Sequence, residues 1–257
     1  MRRPARRLAL VAACAALVLP PLPADAAATV RLPSGRSYLL AAEQRGADER
    51  RPTLILLAGL GLDPASIRAQ SGFDEVAADE RWNLVYGQSP TRSWNAGICC
   101  GPAVAAKTDD IGYLVDVVRS MAARGHDGPV YVAGFSNGGM MALRAACDQP
   151  FVFAKVASVA GTLVTPCPAG LRNARHVHGT ADGVVPYNGG WSSYCHVTFP
   201  SMTEERVGLA ASTDYALLTV QGGRHAWPPG ATSYVRGFFA GELVTATVSP
   251  GGAELDG

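Results

Sequence analysis

Neither charge is in surplus along this 257-residue chain, where 22 Lys and Arg stand against 21 Asp and Glu. That balance excludes the strongly basic surfaces that hold nucleic acid or anionic membranes. Past the N-terminal region the chain has no apolar run near the ~20 residues of a membrane-spanning helix. It also has no internal repeat and no long low-complexity linker. A paired C-x-x-C knuckle for zinc is missing, as is any Walker sequence. Gly59-Leu60-Gly61 begins like a dinucleotide fingerprint, but Pro64 stands where the third glycine belongs, so no nucleotide partner is expected. What remains is a globular composition, 48% apolar, 7% aromatic and 17% charged.

The N-terminus reads as an export signal. Arg2, Arg3, Arg6 and Arg7 precede an apolar run from Leu8 to Leu19, and Ala24-Asp25-Ala26 supplies small residues for cleavage. Twelve apolar residues are too few to cross a hydrocarbon core. Residues 1–26 are therefore expected to be removed, leaving 18 basic against 20 acidic side chains. The expected location is extracellular or periplasmic. An alternative takes Val11-Ala12-Ala13-Cys14 as a lipoprotein site, at the cost of an apolar segment only six residues long.

In an oxidising compartment Cys99, Cys100, Cys147, Cys167 and Cys195 are disulfide candidates rather than catalytic thiols. Because bridges between sequence neighbours are uncommon, Cys99 and Cys100 are expected to pair with Cys147 and Cys167, leaving Cys195 free.

The remaining chain, about 230 residues, is long enough for one domain with a sizeable core, expected over 27–243 and followed by a frayed tail at 244–257. Apolar runs at 38–42, 53–57, 83–86, 129–133, 156–160, 175–178 and 215–220 read as strands. Segments 65–79, 109–123, 138–147 and 232–239 read as helices, the second with Asp109 near its N-cap. This alternation predicts an α/β fold with a mostly parallel central sheet and helices on both faces.

The strongest chemical signal is Gly134-Phe135-Ser136-Asn137-Gly138. The pentapeptide gains weight from its setting, with the strand Val130-Tyr131-Val132-Ala133 before it and the helix from Gly139 after it. Ser136 then occupies a sharp strand-to-helix turn, a nucleophile elbow, whose tight backbone approaches require glycine at 134 and 138. A serine hydroxyl is a weak nucleophile until a histidine takes its proton and an acid orients that histidine. The expected order is serine, acid, histidine on loops after later strands. Asp182 follows the strand at 175–178, and His225 follows the strand at 215–220 in a glycine-rich loop.

The competitors fit this order less well. His126 precedes Ser136, His176 and His178 lie within a strand, His196 precedes the last strand, and Asp214 opens a strand instead of following one. His176 and His178 share a strand face, but no third ligand or carboxylate cluster accompanies them in the sequence, so no metal is expected. An oxyanion needs two donors. The Asn137 amide is one candidate, and the Leu60 or Gly59 amide, in the loop after the strand at 53–57, is the other.

Six blocks in order carry a family resemblance. They are Gly35-Arg36-Ser37-Tyr38-Leu39-Leu40, Arg92-Ser93-Trp94-Asn95-Ala96-Gly97 with Cys99-Cys100-Gly101, Asp109-Asp110-Ile111-Gly112-Tyr113-Leu114, Ser136-Asn137-Gly138-Gly139-Met140-Met141, His178-Gly179-Thr180-Ala181-Asp182, and Gly222-Gly223-Arg224-His225-Ala226-Trp227-Pro228. Over residues 34–240 the chain resembles secreted esterases of the polyhydroxybutyrate depolymerase and feruloyl or acetylxylan esterase group, carbohydrate esterase family 1. The resemblance implies an α/β-hydrolase fold, no cofactor, and Ser136, Asp182 and His225 as the triad. Two departures stand out. Ala58-Gly59 replaces the usual His-Gly, and residues 191–209 replace a longer cap, so the cap is reduced.

The expected activity is hydrolysis of carboxylic esters through an acyl-enzyme, with Trp94 and Trp227 flanking the substrate or else packing loops. An acyltransferase or peptidase on the same scaffold, and a non-catalytic secreted binding protein, are the alternatives.

Overall fold

A computed structural model describes residues 27–44, 50–209 and 214–242. The expected signal at 1–26, Cys14 and the tail at 244–257 lie outside the described residues. The strands are β1 (Ala28–Arg31), β2 (Ser37–Ala42), β3 (Thr53–Leu57), β4 (Asn83–Gly87), β5 (Val130–Phe135), β6 (Lys155–Val159), β7 (Ala174–Gly179), β8 (Gly190–Ser192), β9 (Val197–Phe199) and β10 (Tyr215–Val220). The helices are α1 (Pro64–Ser71), α2 (Phe73–Asp79), α3 (Pro102–Ala105), α4 (Asp110–Ala123), α5 (Asn137–Asp148), α6 (Met202–Gly208) and α7 (Ala231–Ala240).

Eight strands form one sheet in the order β1-β2-β4-β3-β5-β6-β7-β10. From β4 to β10 every pairing is parallel, whereas β2 runs antiparallel to both β1 and β4. Parallel strands need both faces covered, which is why β3, β4 and β5 are buried at every position. Ile55 and Leu57 enter one core with Leu114, Val117 and Met121 of α4 and Met141 and Leu143 of α5. Leu54 and Leu56 enter the opposite core with Ile67 of α1, Phe73 of α2 and Val235 and Phe238 of α7. The alternation of Cβ direction along one strand thus feeds two layers of helix.

The expected helix over 65–79 is two helices. Gly72, at φ 62°, ends α1 by donating its amide to the Arg68 carbonyl and then starts α2. Only glycine enters this left-handed region without a Cβ penalty, so an apolar periodicity that runs through residue 72 still breaks there. Asp109 caps α4, as expected, accepting from the Gly112 amide at 2.8 Å. The reduced cap expected at 191–209 is built from the antiparallel pair β8–β9 followed by α6. A capping box of Ser201 and Glu204 starts α6, a signal readable in the sequence as Ser-x-x-Glu.

The disulfide expectation is corrected. Cys99 bonds Cys100 across a cis peptide with the two Cα atoms 3.1 Å apart, and Cys147 bonds Cys167 with Cα atoms 5.4 Å apart. A bond between adjacent residues is a pairing that sequence spacing alone does not reveal. Cys195 is the free cysteine among the described residues.

Candidate active site

The carboxyl ends of β3, β5, β7 and β10 meet on one edge of the sheet, and the loops leaving them carry the residues of interest. At the end of β5 the chain turns directly into α5. Ser136 sits on that turn at φ 53°, ψ −123°, an uncommon conformation for a residue with a Cβ. It is held there by its amide donating to Val159 O at 2.8 Å and its carbonyl accepting from Met140 N at 2.9 Å. The turn closes because residue 134 lacks a side chain, and it seats against the end of β3 because residue 138 lacks one. A Cβ on Gly134 would lie 2.4 Å from the Gly138 carbonyl carbon, and one on Gly138 would lie 2.3 Å from the Leu57 oxygen.

The loops after β7 and β10 are tied together by the Ala181 amide donating to Gly223 O at 2.9 Å and Thr180 N donating to Val220 O at 2.9 Å. This brings His225 over the turn. Its Nε2 lies 2.9 Å from Ser136 Oγ and its Nδ1 lies 2.8 Å from Asp182 Oδ2, while its ring packs on Phe135 with centroids 5.0 Å apart. Three residues far apart in sequence therefore form one hydrogen-bonded line. Asp182 Oδ1 accepts from the amides of Val184 and Val185, each at 2.8 Å. Burial pushes its carboxyl up, but hydrogen bonds from His178 and His225, the His225 charge and the Val185 amide outweigh that and hold it well below the usual carboxylate range. It is thus an ionised acceptor across the neutral pH range.

Asn137 is the first residue of α5, so its amide is among the first-turn donors without an intrahelical acceptor. Its buried side chain accepts from Trp94 N at 2.7 Å and donates to Trp94 O at 3.0 Å and Cys99 O at 3.3 Å. The loop of the Cys99–Cys100 disulfide is thereby pinned to the elbow. Gly59 lies against the elbow from the other side, where a Cβ on it would come 3.3 Å from Ser136 Cβ. Leu60 follows, half-buried.

The two tryptophans separate. Trp94 is 2% exposed, stacked on Tyr113 and donating its indole N–H to Ala58 O at 2.9 Å. It is a packing residue, which corrects its placement against a substrate; its large apolar ring is worth more in the core than at a wet rim. Trp227 is partly buried, edge-on to Phe73 at 6.2 Å, with its indole donating to Thr232 Oγ1 at 2.9 Å.

The competing residues are engaged elsewhere. His126 meets Glu43 at 3.1 Å, and Asp214 pairs with Arg175 at 2.9 Å. His196 lies edge-on to Trp191 at 6.2 Å. His176 and His178 do have a carboxylate beside them, contrary to expectation, since Glu205 of α6 lies 2.8 Å from His176 Nδ1. That proximity arises from the packing of α6 against β7, which sequence spacing does not show. The sulfurs of Cys99, Cys100 and Cys195 lie within 4.8 Å of one another, but two of them are joined as a disulfide.

The fold is that of the α/β hydrolases. It superposes on an α/β serine hydrolase homologue from Coxiella burnetii with a TM-score of 0.54 at 15% identity, covering 87% of this chain and 99% of that one. In sequence the chain is similar to "Putative esterase NocK" of Nocardia uniformis subsp. tsuyamanensis, 36% identical over 148 residues, or 55% of this chain and 43% of that protein. It is also similar to feruloyl esterase B of Piromyces equi, 34% identical over 110 residues, which are 39% of this chain and 20% of that protein. The chain thus spans less than half the length of either relative. No family model matches it.

Proposed function

We propose that this protein is a serine esterase that hydrolyses carboxylic esters through an acyl-enzyme. The single observation carrying this reading is the line Ser136–His225–Asp182, with contacts of 2.9 and 2.8 Å, on a strand-to-helix turn. Ser136 Oγ attacks the ester carbonyl carbon as His225 Nε2 takes its proton, and the carbonyl oxygen becomes an oxyanion. The Asn137 amide at the start of α5 and an amide from Gly59 or Leu60 receive that charge. When the tetrahedral centre collapses, the C–O bond breaks and the leaving alkoxide takes the proton from His225. Water then loses a proton to His225 and attacks the acyl carbon, and Ser136 recovers its proton as the acid leaves. Asp182 accepts from His225 Nδ1–H throughout and holds the ring in the tautomer that presents Nε2 to the serine.

The relatives' names and the six sequence blocks favour feruloyl or acetylated polysaccharide esters and hydroxyalkanoate oligomers as substrates. Trp227, two residues after His225 and partly buried, is the aromatic side chain assigned to such a group. Two disulfides, the apolar stretch at 8–19 and the lack, among the described residues, of any helix long and apolar enough to cross a membrane support an exported protein.

The test is a panel of methyl ferulate, acetylated xylan, 3-hydroxybutyrate oligomers and p-nitrophenyl acetate, with peptide substrates alongside and Ser136→Ala as control. Acid release from one or more esters, lost in the variant, is expected together with labelling of Ser136 by a fluorophosphonate. Full activity in Ser136→Ala, or a protein that neither turns over esters nor takes the label, rejects the reading.

A further inference from the structure

Hydrogen bonds continue behind Asp182 into the core. His178 Nε2 on β7 lies 2.8 Å from the Val185 carbonyl and 3.4 Å from Asp182 Oδ2. Its Nδ1 lies 2.9 Å from His176 Nε2, and His176 Nδ1 lies 2.8 Å from Glu205 Oε1. Both histidines and Glu205 are shut off from solvent. Glu205 also accepts from Tyr215 OH at 2.9 Å, from the Leu163 amide at 3.0 Å and from the Thr162 hydroxyl.

Counting donors and acceptors along this line gives a definite result. Val185 O only accepts, so His178 Nε2 must carry a proton. An ionised Glu205 only accepts, so His176 Nδ1 must carry one too. The junction between the rings needs one proton and has room for only one. Three protons are thus required on four ring nitrogens, whereas two neutral imidazoles bring two. A buried pair of facing acceptors repels with nothing between them, so the line is complementary only with the extra proton present.

We propose that His176 and His178 share a third ring proton, forming one imidazolium held against the Glu205 carboxylate, and that this cation faces Asp182 and keeps it oriented toward His225. Glu205, His176 and His178 are positioning residues in this scheme, which rests on the reading of Asp182 as the acid behind His225. The other groups facing the line are Tyr187, edge-on to His178 at 6.0 Å, Tyr215, whose hydroxyl burial and the Glu205 charge keep protonated, and the Cys195 thiol, which burial pushes up. The Arg206 guanidinium of α6 also acts on Tyr215. Four donors converge on the Glu205 carboxylate, His176 Nδ1 and Tyr215 OH at Oε1 and the Thr162 hydroxyl and the Leu163 amide at Oε2, so the ionised form meets all of them.

The test is nitrogen-15 NMR of the imidazole rings at pH 8, where an exposed histidine is neutral. Five histidines make the spectrum assignable by single His→Gln changes at 126 and 196. Three protonated nitrogens over residues 176 and 178 are expected in the native protein, and two overturn the proposal. Glu205→Gln places an amide donor opposite His176 Nδ1, so the same line closes with two ring protons. A count that stays at three in that variant overturns the role of Glu205, and should the variant fail to fold, the native count decides alone. With the cation gone from beside the Asp182–His225 pair, the acid limb of kcat/KM for ester hydrolysis should move up by about half a pH unit. An unmoved limb overturns the coupling to Asp182. The ring count needs no substrate, so a chain that hydrolyses no ester would defeat the proposed activity and leave the count standing.

Discussion

Trp94 donates its indole N–H to the carbonyl of Ala58 at 2.9 Å, tying the loop that carries Gly59 and Leu60 to the core beneath the elbow. The indole anchors this loop through a backbone carbonyl rather than through a side chain at 58. Trp94→Phe keeps a ring for the stack on Tyr113 but leaves the Ala58 oxygen buried without its donor. The expected cost is about 1–3 kcal/mol of stability. A fall of about tenfold in kcat at little-changed KM is expected as well, under the proposed role of this loop as an oxyanion donor. Urea unfolding and steady-state kinetics on p-nitrophenyl acetate check both, and unchanged kcat would show that the loop needs no such anchor.

The elbow was legible because it is local. Strand, Ser136 and helix are contiguous, and the glycine at 134 is dictated by an approach within the same turn, whereas the need for glycine at 138 comes from the end of β3, which the local sequence does not show. Asp182 and His225 were legible through their order after β7 and β10, and the structure brings them to Ser136. Glu205 was not, since its meaning depends on α6 packing against β7, and α6 lies in a stretch that shows only a capping box. The Cys99–Cys100 bond and the break at Gly72 were hidden for a related reason, because each depends on backbone conformation rather than residue spacing.

Asp182 predicts a pH dependence of stability with a definite sign. Its folded pKa is depressed relative to the unfolded carboxyl near ~3.9, so the stability it contributes is fully present above that pH. It is lost as pH falls through the folded value. Asp182→Asn should abolish nearly all activity, about 10⁴-fold if the wrong histidine tautomer results. Its stability should fall less steeply than the native protein's below about pH 4. Parallel acid slopes in calorimetric melts of the two proteins would contradict the assigned depression.

The bond between Cys147 and Cys167 joins the last turn of α5 to the loop that precedes β7 across a sequence separation of 20. Closing a loop of that size removes unfolded-state entropy worth about 3 kcal/mol. The double variant Cys147→Ala/Cys167→Ala should therefore lower the urea midpoint, with an m-value somewhat above native because the unfolded chain loses its cross-link, while leaving kcat close to native, since neither residue touches the elbow. A large loss of kcat in folded protein would mean that α5 needs the bridge to present Ser136.

Gly138 offers the sharpest steric test of how the elbow is built. A Cβ there would meet the Leu57 oxygen at 2.3 Å and the Ala58 oxygen at 2.5 Å, both backbone atoms at the end of β3 that have no rotamer to yield. Gly138→Ala must therefore push α5 away from β3, separating Ser136 and the Asn137 amide from Gly59. Overpacking of this kind costs about 1–3 kcal/mol. Because the displacement falls between the two amides proposed to receive the oxyanion, activity should drop by more than stability does, about 100-fold or beyond. Gly183→Ala is the matched control, since a Cβ at that position meets nothing within 4 Å. Equal effects at both positions would show that the close approach of α5 to β3 has no part in presenting Ser136.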